Sequence, residues 1–274
     1  MAAPITYMTP GTAPQSQSEQ SIKPTLLTFH GSGSNGTVHT VQLARLSRLL
    51  KPHFDIVSLE GPFPSAAGPG VLPFFEGCGP FKRWLPPHEK IDVEGIKRGD
   101  ASSNMSPEVE SLVKSTVTKI RSDGGRVAGL IGFSQGTRVV AGLLKGTEIR
   151  RAVSTNEEDW CDFGFALSVC DSHPPPMIPG SVREVLEKSG LGDEERERLL
   201  TEKIRLPSLH VLGEKDEWKW TGKMLIEQSY HVEKGMTEVR EMDMGHHYPV
   251  IAEETELVKD WVMETYEKTR DVEK

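Results

Sequence analysis

Residues 126–144 read "RVAGLIGFSQGTRVVAGLL". An apolar run ends in G-x-S-x-G at 132–136, and a helical pattern follows at once. A strand that turns sharply into a helix on such a pentapeptide lifts its serine above the C-terminal edge of a sheet, on a tight and strained bend. Gly132 and Gly136 leave room there for the neighbouring strand and helix. The N–H of Gln135 opens the helix and faces the same space. The pentapeptide alone is common; the strand before it and the helix after it single out Ser134 as a candidate nucleophile.

Working outward, five more apolar runs read as strands: 25–30, 55–60, 163–170, 207–213 and 237–242. Most are continuous rather than alternating, as expected of parallel strands covered on both faces. The last is mixed. Helical spacing fills 38–51, 106–121, 135–145, 219–230 and 253–269, with "SPEVE" supplying a capping serine and a first-turn proline. Strands alternating with helices predict a mostly parallel α/β sheet of about six strands with helices on both faces. Two segments break the rhythm. Residues 61–99 form a long Gly/Pro-rich connection with several aromatics, the kind that acts as a functional loop or lid. Residues 172–206 begin "SHPPPMIPG", continue into charged helical sequence and look like an insertion between two strands.

A nucleophile on this turn calls for an acid and then a histidine, each after a later strand. "HVLGEKDEW" places Asp216 just beyond the fifth strand. "MDMGHHYP" places His246 and His247 just beyond the sixth. The acid would hold the imidazole tautomer, and the imidazole would take the serine proton. Asp171, after the fourth strand, is a rival acid; His173 nearby fits a surface loop equally well. The local pattern does not separate His246 from His247.

"FHGSGSNG", residues 29–36, carries a second signal. Its glycines spell G-x-G-x-x-G between a strand and a helix, with Glu60 ending the next strand, which suits a nicotinamide dinucleotide. However, His30 is an awkward polar ring for that turn, and the reading leaves Ser134, Asp216 and the histidines unused. As a loop after an early strand, the same residues lend an N–H, that of Ser32, to an oxyanion hole shared with Gln135. His30 then organises the loop.

Composition narrows the rest. The chain has 274 residues and a net charge of −8, so a broad nucleic-acid footprint is disfavoured. Three scattered cysteines fit reduced thiols and a cytoplasmic setting. No run is long enough to span a bilayer, and no spacing suits a metal site, so no cofactor is expected. Residues 1–22 read as a disordered tail and 23–274 as one domain.

Together "LLTFHGSGSNG", "LEGPFP", "GFSQGTRVVAGLL", "LHVLGEKDEW" and "MGHHYPV" resemble the small fungal serine hydrolases of the α/β-hydrolase superfamily. That group includes thiohydrolases of fungal polyketide gene clusters, of the lovastatin-cluster type. The resemblance covers residues 24–262. It implies ester or thioester hydrolysis by Ser134, Asp216 and His246, the histidine being chosen by Pro249 three residues on. It also implies an acyl substrate, delivered in such clusters on the carrier domain of a polyketide synthase. Residues 61–86 and the insertion after 171 are then expected to wall an apolar pocket, lined by Trp84, Trp218 and Trp220. Basic pairs at Lys82–Arg83 or Arg150–Arg151 would receive an acidic carrier. The departures are "FEGCGPFKRW" and "DSHPPPMIP". A general short-chain carboxylesterase is the alternative.

Overall fold

The computed structural model describes residues 22–89, 92–153 and 159–272. In chain order the strands are β1 (Thr25–Phe29), β2 (Asp55–Leu59), β3 (Phe63–Ser65), β4 (Phe81–Arg83), β5 (Val127–Phe133), β6 (Phe165–Val169), β7 (Ser208–Gly213) and β8 (Thr237–Met242). Six of them form one sheet in the order β2-β1-β5-β6-β7-β8, and every neighbouring pair is parallel. The continuous apolar runs are explained directly. Every residue of β1, β5, β6 and β7 is buried, because these strands are interior and covered on both faces. The mixed run "TEVREM" is the edge strand β8, where half-exposed positions tolerate charge. The expected tail lies outside the described residues except for Ile22.

Helices cover both faces. On one, Val109, Val113 and Val117 of α4 (Pro107–Ser122) pack with the apolar side of α5 (Gly136–Val153) and with α6 (Gly180–Lys188). On the other, Leu46 and Leu50 of α2 (Ala44–Leu50) meet Val258 and Val262 of α9 (Ala252–Val272). Ser106 caps α4 by accepting from the Val109 N–H at 3.3 Å, with Pro107 in the first turn, as the sequence predicted. The helix expected over 38–51 is two. α1 (Gly36–Gln42) and α2 meet at Leu43, and Asn35 caps the start of α1 by accepting from the Val38 N–H.

The long connection after β2 holds more structure than its composition revealed. β3 and β4 pair antiparallel as a separate ribbon inside 61–99, followed by α3 (Val93–Arg98). The insertion carries α6 and α7 (Asp193–Thr201); α8 (Lys219–Ser229) follows β7. The short ribbon matters for the site. Lys82 N–H donates to the Ser34 carbonyl and Gly33 N–H to the Lys82 carbonyl, so β4 clasps the glycine loop after β1.

Candidate active site

Ser134 follows β5 with φ of +49°, a left-handed conformation that costs a side-chain-bearing residue about 1–2 kcal/mol. The surroundings over-determine it. The Ser134 N–H donates to the Val169 carbonyl at 3.0 Å, and the Ser134 carbonyl accepts from both the N–H and the hydroxyl of Thr137, at 2.9 and 2.7 Å. Glycine is required on both sides. A Cβ on Gly132 would sit 2.9 Å from the Thr137 Cα, and one on Gly136 would overlap the Phe29 carbonyl. Thr137 also accepts from the Ser172 N–H at 3.0 Å, joining the turn to the loop after β6.

His246 Nδ1 lies 2.8 Å from Asp216 Oδ2. The other carboxylate oxygen accepts from the Trp218 N–H at 2.9 Å. Burial acts to raise the Asp216 pKa, but the hydrogen bond and charge of His246, with Trp218 and Cys170, outweigh it and hold the carboxyl below its usual range. His247 is occupied elsewhere: its Nδ1 faces the Tyr248 carbonyl and its Nε2 accepts from the Gly245 N–H. Asp171 turns to His210 instead, Oδ1 to Nδ1 at 3.0 Å, with both side chains fully buried.

One cavity of about 350 Å³ collects Ser32, Ser134, Gln135, Trp218 and His246 on its walls. Asp171 and His173 also line it. His173 is therefore no surface residue; it is 6% exposed, and burial together with the Arg138 charge pushes its imidazole down to about 4. Trp84, expected on the wall, is in the core: fully buried, packed on Phe29 at 5.4 Å, its indole N–H donating to the His30 carbonyl at 2.7 Å. Its backbone N–H holds the Gln135 side chain at 2.8 Å, so it braces the turn from behind. Trp220 is not among the lining residues. Nor is the cavity a plain apolar slot. Leu85, Ile96 and Trp218 share its walls with Arg83, Glu89 and Asp171.

The glycine loop is filled by its own chain. A Cβ on Gly33, at φ of +69°, would overlap the Gly68 backbone, and Gly68 N–H bonds the Gly33 carbonyl. His30 ties it down as expected: Nδ1 bonds the Gly31 carbonyl, and Nε2 accepts from the Gly61 N–H at 2.9 Å. Burial pushes its imidazole down to about 4, keeping it neutral.

Sequence reasoning missed Cys170. It sits at φ of +52° after β6, its thiol near the Gly245 and His247 carbonyls and within 4.8 Å of the Asp216 carboxylate. Cys170, Asp216 and His246 bring ligand-type atoms within 4.8 Å of one another. As metal ligands they are unsuited: burial raises the thiol far above its usual range, and His246 Nδ1 is already bonded to the Asp216 carboxylate. Only the left-handed backbone at 170 would have signalled this residue, and a cysteine gives no sequence cue for that.

The class follows from the fold. An all-parallel sheet with a strained serine turn after β5 and an acid-bound histidine after its last strand is an α/β-hydrolase, and a point variant of Arabidopsis thaliana SOBER1 shares that fold, with a TM-score of 0.50 and 14% identity over 89% of this chain and 99% of that one. Within the class, the chain belongs to the serine hydrolase (FSH1) family, which it matches over residues 20–258. The family membership sets aside the dinucleotide reading of the glycine loop. Among its relatives, the esterase FUS5 of Gibberella fujikuroi is 30% identical over 89% of this chain and 88% of its own length. The thioesterase FSL2 of Gibberella zeae is 27% identical over 90% and 94%. The dihydromonacolin L-[lovastatin nonaketide synthase] thioesterase of Aspergillus terreus is 27% identical over 82% and 85%. The chain is a serine hydrolase of the esterase and thioesterase kind, and none of its described helices is long and apolar enough to cross a membrane.

Proposed function

We propose that this hydrolase cleaves acyl thioesters or esters through Ser134, His246 and Asp216. The observation that carries the assignment is the 2.8 Å contact between Asp216 and His246 in the cavity that also holds the strained Ser134. Asp216 accepts the Nδ1 proton of His246, leaving Nε2 as the base. Ser134 Oγ gives its proton to Nε2 and attacks the acyl carbonyl. The developing oxyanion is received by the N–H groups of Ser32 and Gln135, each worth about 3 kcal/mol. The imidazolium returns its proton to the leaving thiol or alcohol. Water, deprotonated by the same nitrogen, then releases the acid and restores Ser134. No cofactor enters these steps.

The substrate we propose is an acyl chain carried as a thioester on an acyl carrier domain of a polyketide synthase, in the cytoplasm. Family membership and thioesterase relatives support it, and the free state of Cys78, Cys161 and Cys170 suits that compartment. A fluorophosphonate serine probe tests the chemistry: labelling should vanish in Ser134→Ala, and undiminished labelling would remove the nucleophile. Product release from an acyl-loaded carrier protein, with and without enzyme, tests the substrate. One observation favours a small-ester carboxylesterase instead: a cavity of about 350 Å³ with charged walls accommodates little extended hydrocarbon. Release no faster than background, alongside rapid turnover of short p-nitrophenyl esters, would decide for it.

A further inference from the structure

Arg138 lies in the first turn of α5, four residues beyond Ser134, and is fully buried. Its Nε donates to the Pro175 carbonyl at 3.0 Å and its Nη2 to the Ser102 carbonyl at 2.7 Å. Its Nη1 is buried and meets no partner. Among the described residues no carboxylate forms an ion pair with it; Glu89 acts on it only as a more distant charge. Burial lowers the guanidinium to about 10, so it stays charged at neutral pH. An unpaired buried cation costs several kcal/mol, and an apolar side chain of similar volume would stabilise the fold better. Joining two loops through carbonyls does not require a full positive charge.

The position of this charge suggests its use. Arg138 lines a second cavity, of about 480 Å³, together with Leu85, Glu89 and Ser102. Leu85 and Glu89 also line the cavity of Ser134 and His246, so the two adjoin. The field of Arg138 reaches that first cavity, because it helps to keep His173 neutral there. A second guanidinium, Arg83, lines that first cavity; its Nη2 bonds the Pro86 carbonyl at 2.6 Å and its Nε has no partner.

We propose that Arg138 anchors a carboxylate of the substrate, so that the preferred ester or thioester carries a free carboxylate a short chain away from the scissile carbonyl. This rests on Ser134 being the nucleophile. Ser134 and Arg138 flank one tight turn, in which the Thr137 N–H bonds the Ser134 carbonyl at 2.9 Å and the Arg138 N–H the Gln135 carbonyl at 3.2 Å, and that closeness suits a short dicarboxylic framework. A guanidinium is the side chain best matched to a planar carboxylate. Glu89, on the shared wall, is the charge the incoming group works against.

The test compares matched substrates by kcat/KM. Mono-p-nitrophenyl glutarate against p-nitrophenyl pentanoate reads a carboxylate on the acyl side. S-pentanoyl thioglycolate against S-pentanoyl mercaptoethanol reads one on the leaving side. The wild type should favour the carboxylate by about tenfold or more on one side, the size of one charge-assisted hydrogen bond, and that side identifies where the anion sits. Arg138→Gln should bring the ratio to near one. In parallel, glutarate titrated calorimetrically should bind wild type, bind Glu89→Gln more tightly, and fail to bind Arg138→Gln. Ratios near one in the wild type with no glutarate binding would overturn the proposal, as would a preference that survives in Arg138→Gln. If no ester is turned over but glutarate binds and depends on Arg138, the anion site stands and the hydrolytic reading falls.

Discussion

Asp216→Asn is the most informative single change, because the geometry dictates how the amide must sit. In the native site one carboxylate oxygen accepts from the Trp218 N–H at 2.9 Å, and the other faces His246 Nδ1 at 2.8 Å. An asparagine has only one acceptor oxygen. Turning its NH₂ towards Trp218 sets donor against donor, so the oxygen must stay there and the NH₂ must face His246. The imidazole then has to present an unprotonated Nδ1 and carry its proton on Nε2, the wrong tautomer for accepting the serine proton. The loss expected from that inversion is about 10⁴-fold in kcat, or roughly 5.5 kcal/mol of transition-state stabilisation. Stability should change little, since side-chain size and the Trp218 bond survive. Asp171→Asn should act the opposite way. It disturbs the buried contact with His210, weakening the fold, but leaves the His246 tautomer alone. The assay is kcat on p-nitrophenyl butanoate at pH 8, with a melting curve for each variant and ¹⁵N chemical shifts to locate the His246 proton. Asp216→Asn retaining more than a tenth of wild-type kcat, or losing less than Asp171→Asn, would refute the assignment.

Three further outcomes are expected. His30, His39 and His173 are held neutral by burial, with pKa values of about 4, 3 and 4. These lie below the unfolded value of 6.5, so the unfolded chain takes up protons first, and the stability present above pH 6.5 is lost as pH falls towards 4; the loss is about 2 kcal/mol per histidine by pH 5. A melting temperature flat from pH 7 to 5 would contradict this, and His39→Gln should make the fall shallower. Gly142→Ala should gain about 1 kcal/mol from helix propensity alone. However, the new Cβ would overlap the Met177 carbonyl oxygen, so a net loss of more than about 2 kcal/mol is expected, and a raised melting temperature would rule that contact out. Lys82→Glu should raise KM for a carrier-bound thioester but not for a small one, whereas Arg151→Glu should alter neither. Arg151 lies about 20 Å along α5 from the serine turn, and a rise in KM on its reversal would place the carrier elsewhere.

The sheet and the serine turn could be read from the sequence because each is enforced by backbone requirements that leave a residue signature. A strand buried on both faces must be continuously apolar, and Gly132 and Gly136 stand where any Cβ would collide with the next element. The places of Ser134, Asp216 and His246, which we propose act together, were legible for a related reason: each sits where a strand ends, and strand ends are visible. Between neighbours, legibility stopped. His246 and His247 occupy equivalent places in the pattern, and what separates them is a peptide-scale choice: which ring reaches Asp216 and which turns back onto Gly245 and Tyr248.

The cavity walls were hidden more deeply, because they are made by contacts between distant segments rather than by local periodicity. Trp84 shows this best. Its aromatic character suggested an acyl-chain wall, but an indole carries one donor that must be satisfied when buried, and the His30 carbonyl supplies the acceptor in the core. In that position it also sets Gln135 through its backbone N–H. Arg138 is the converse case. It falls in the middle of an apolar helical run, where charge is costly, and periodicity gives no reason for it. With Trp84 in the core, the expected hydrocarbon slot is a cavity that carries Arg83, Glu89 and Asp171 on its walls, and Arg138 lines the cavity adjoining it. If the anion site proposed at Arg138 holds, substrate selection turns on which polar group the acyl or leaving portion offers to those walls, as much as on the length of chain it buries.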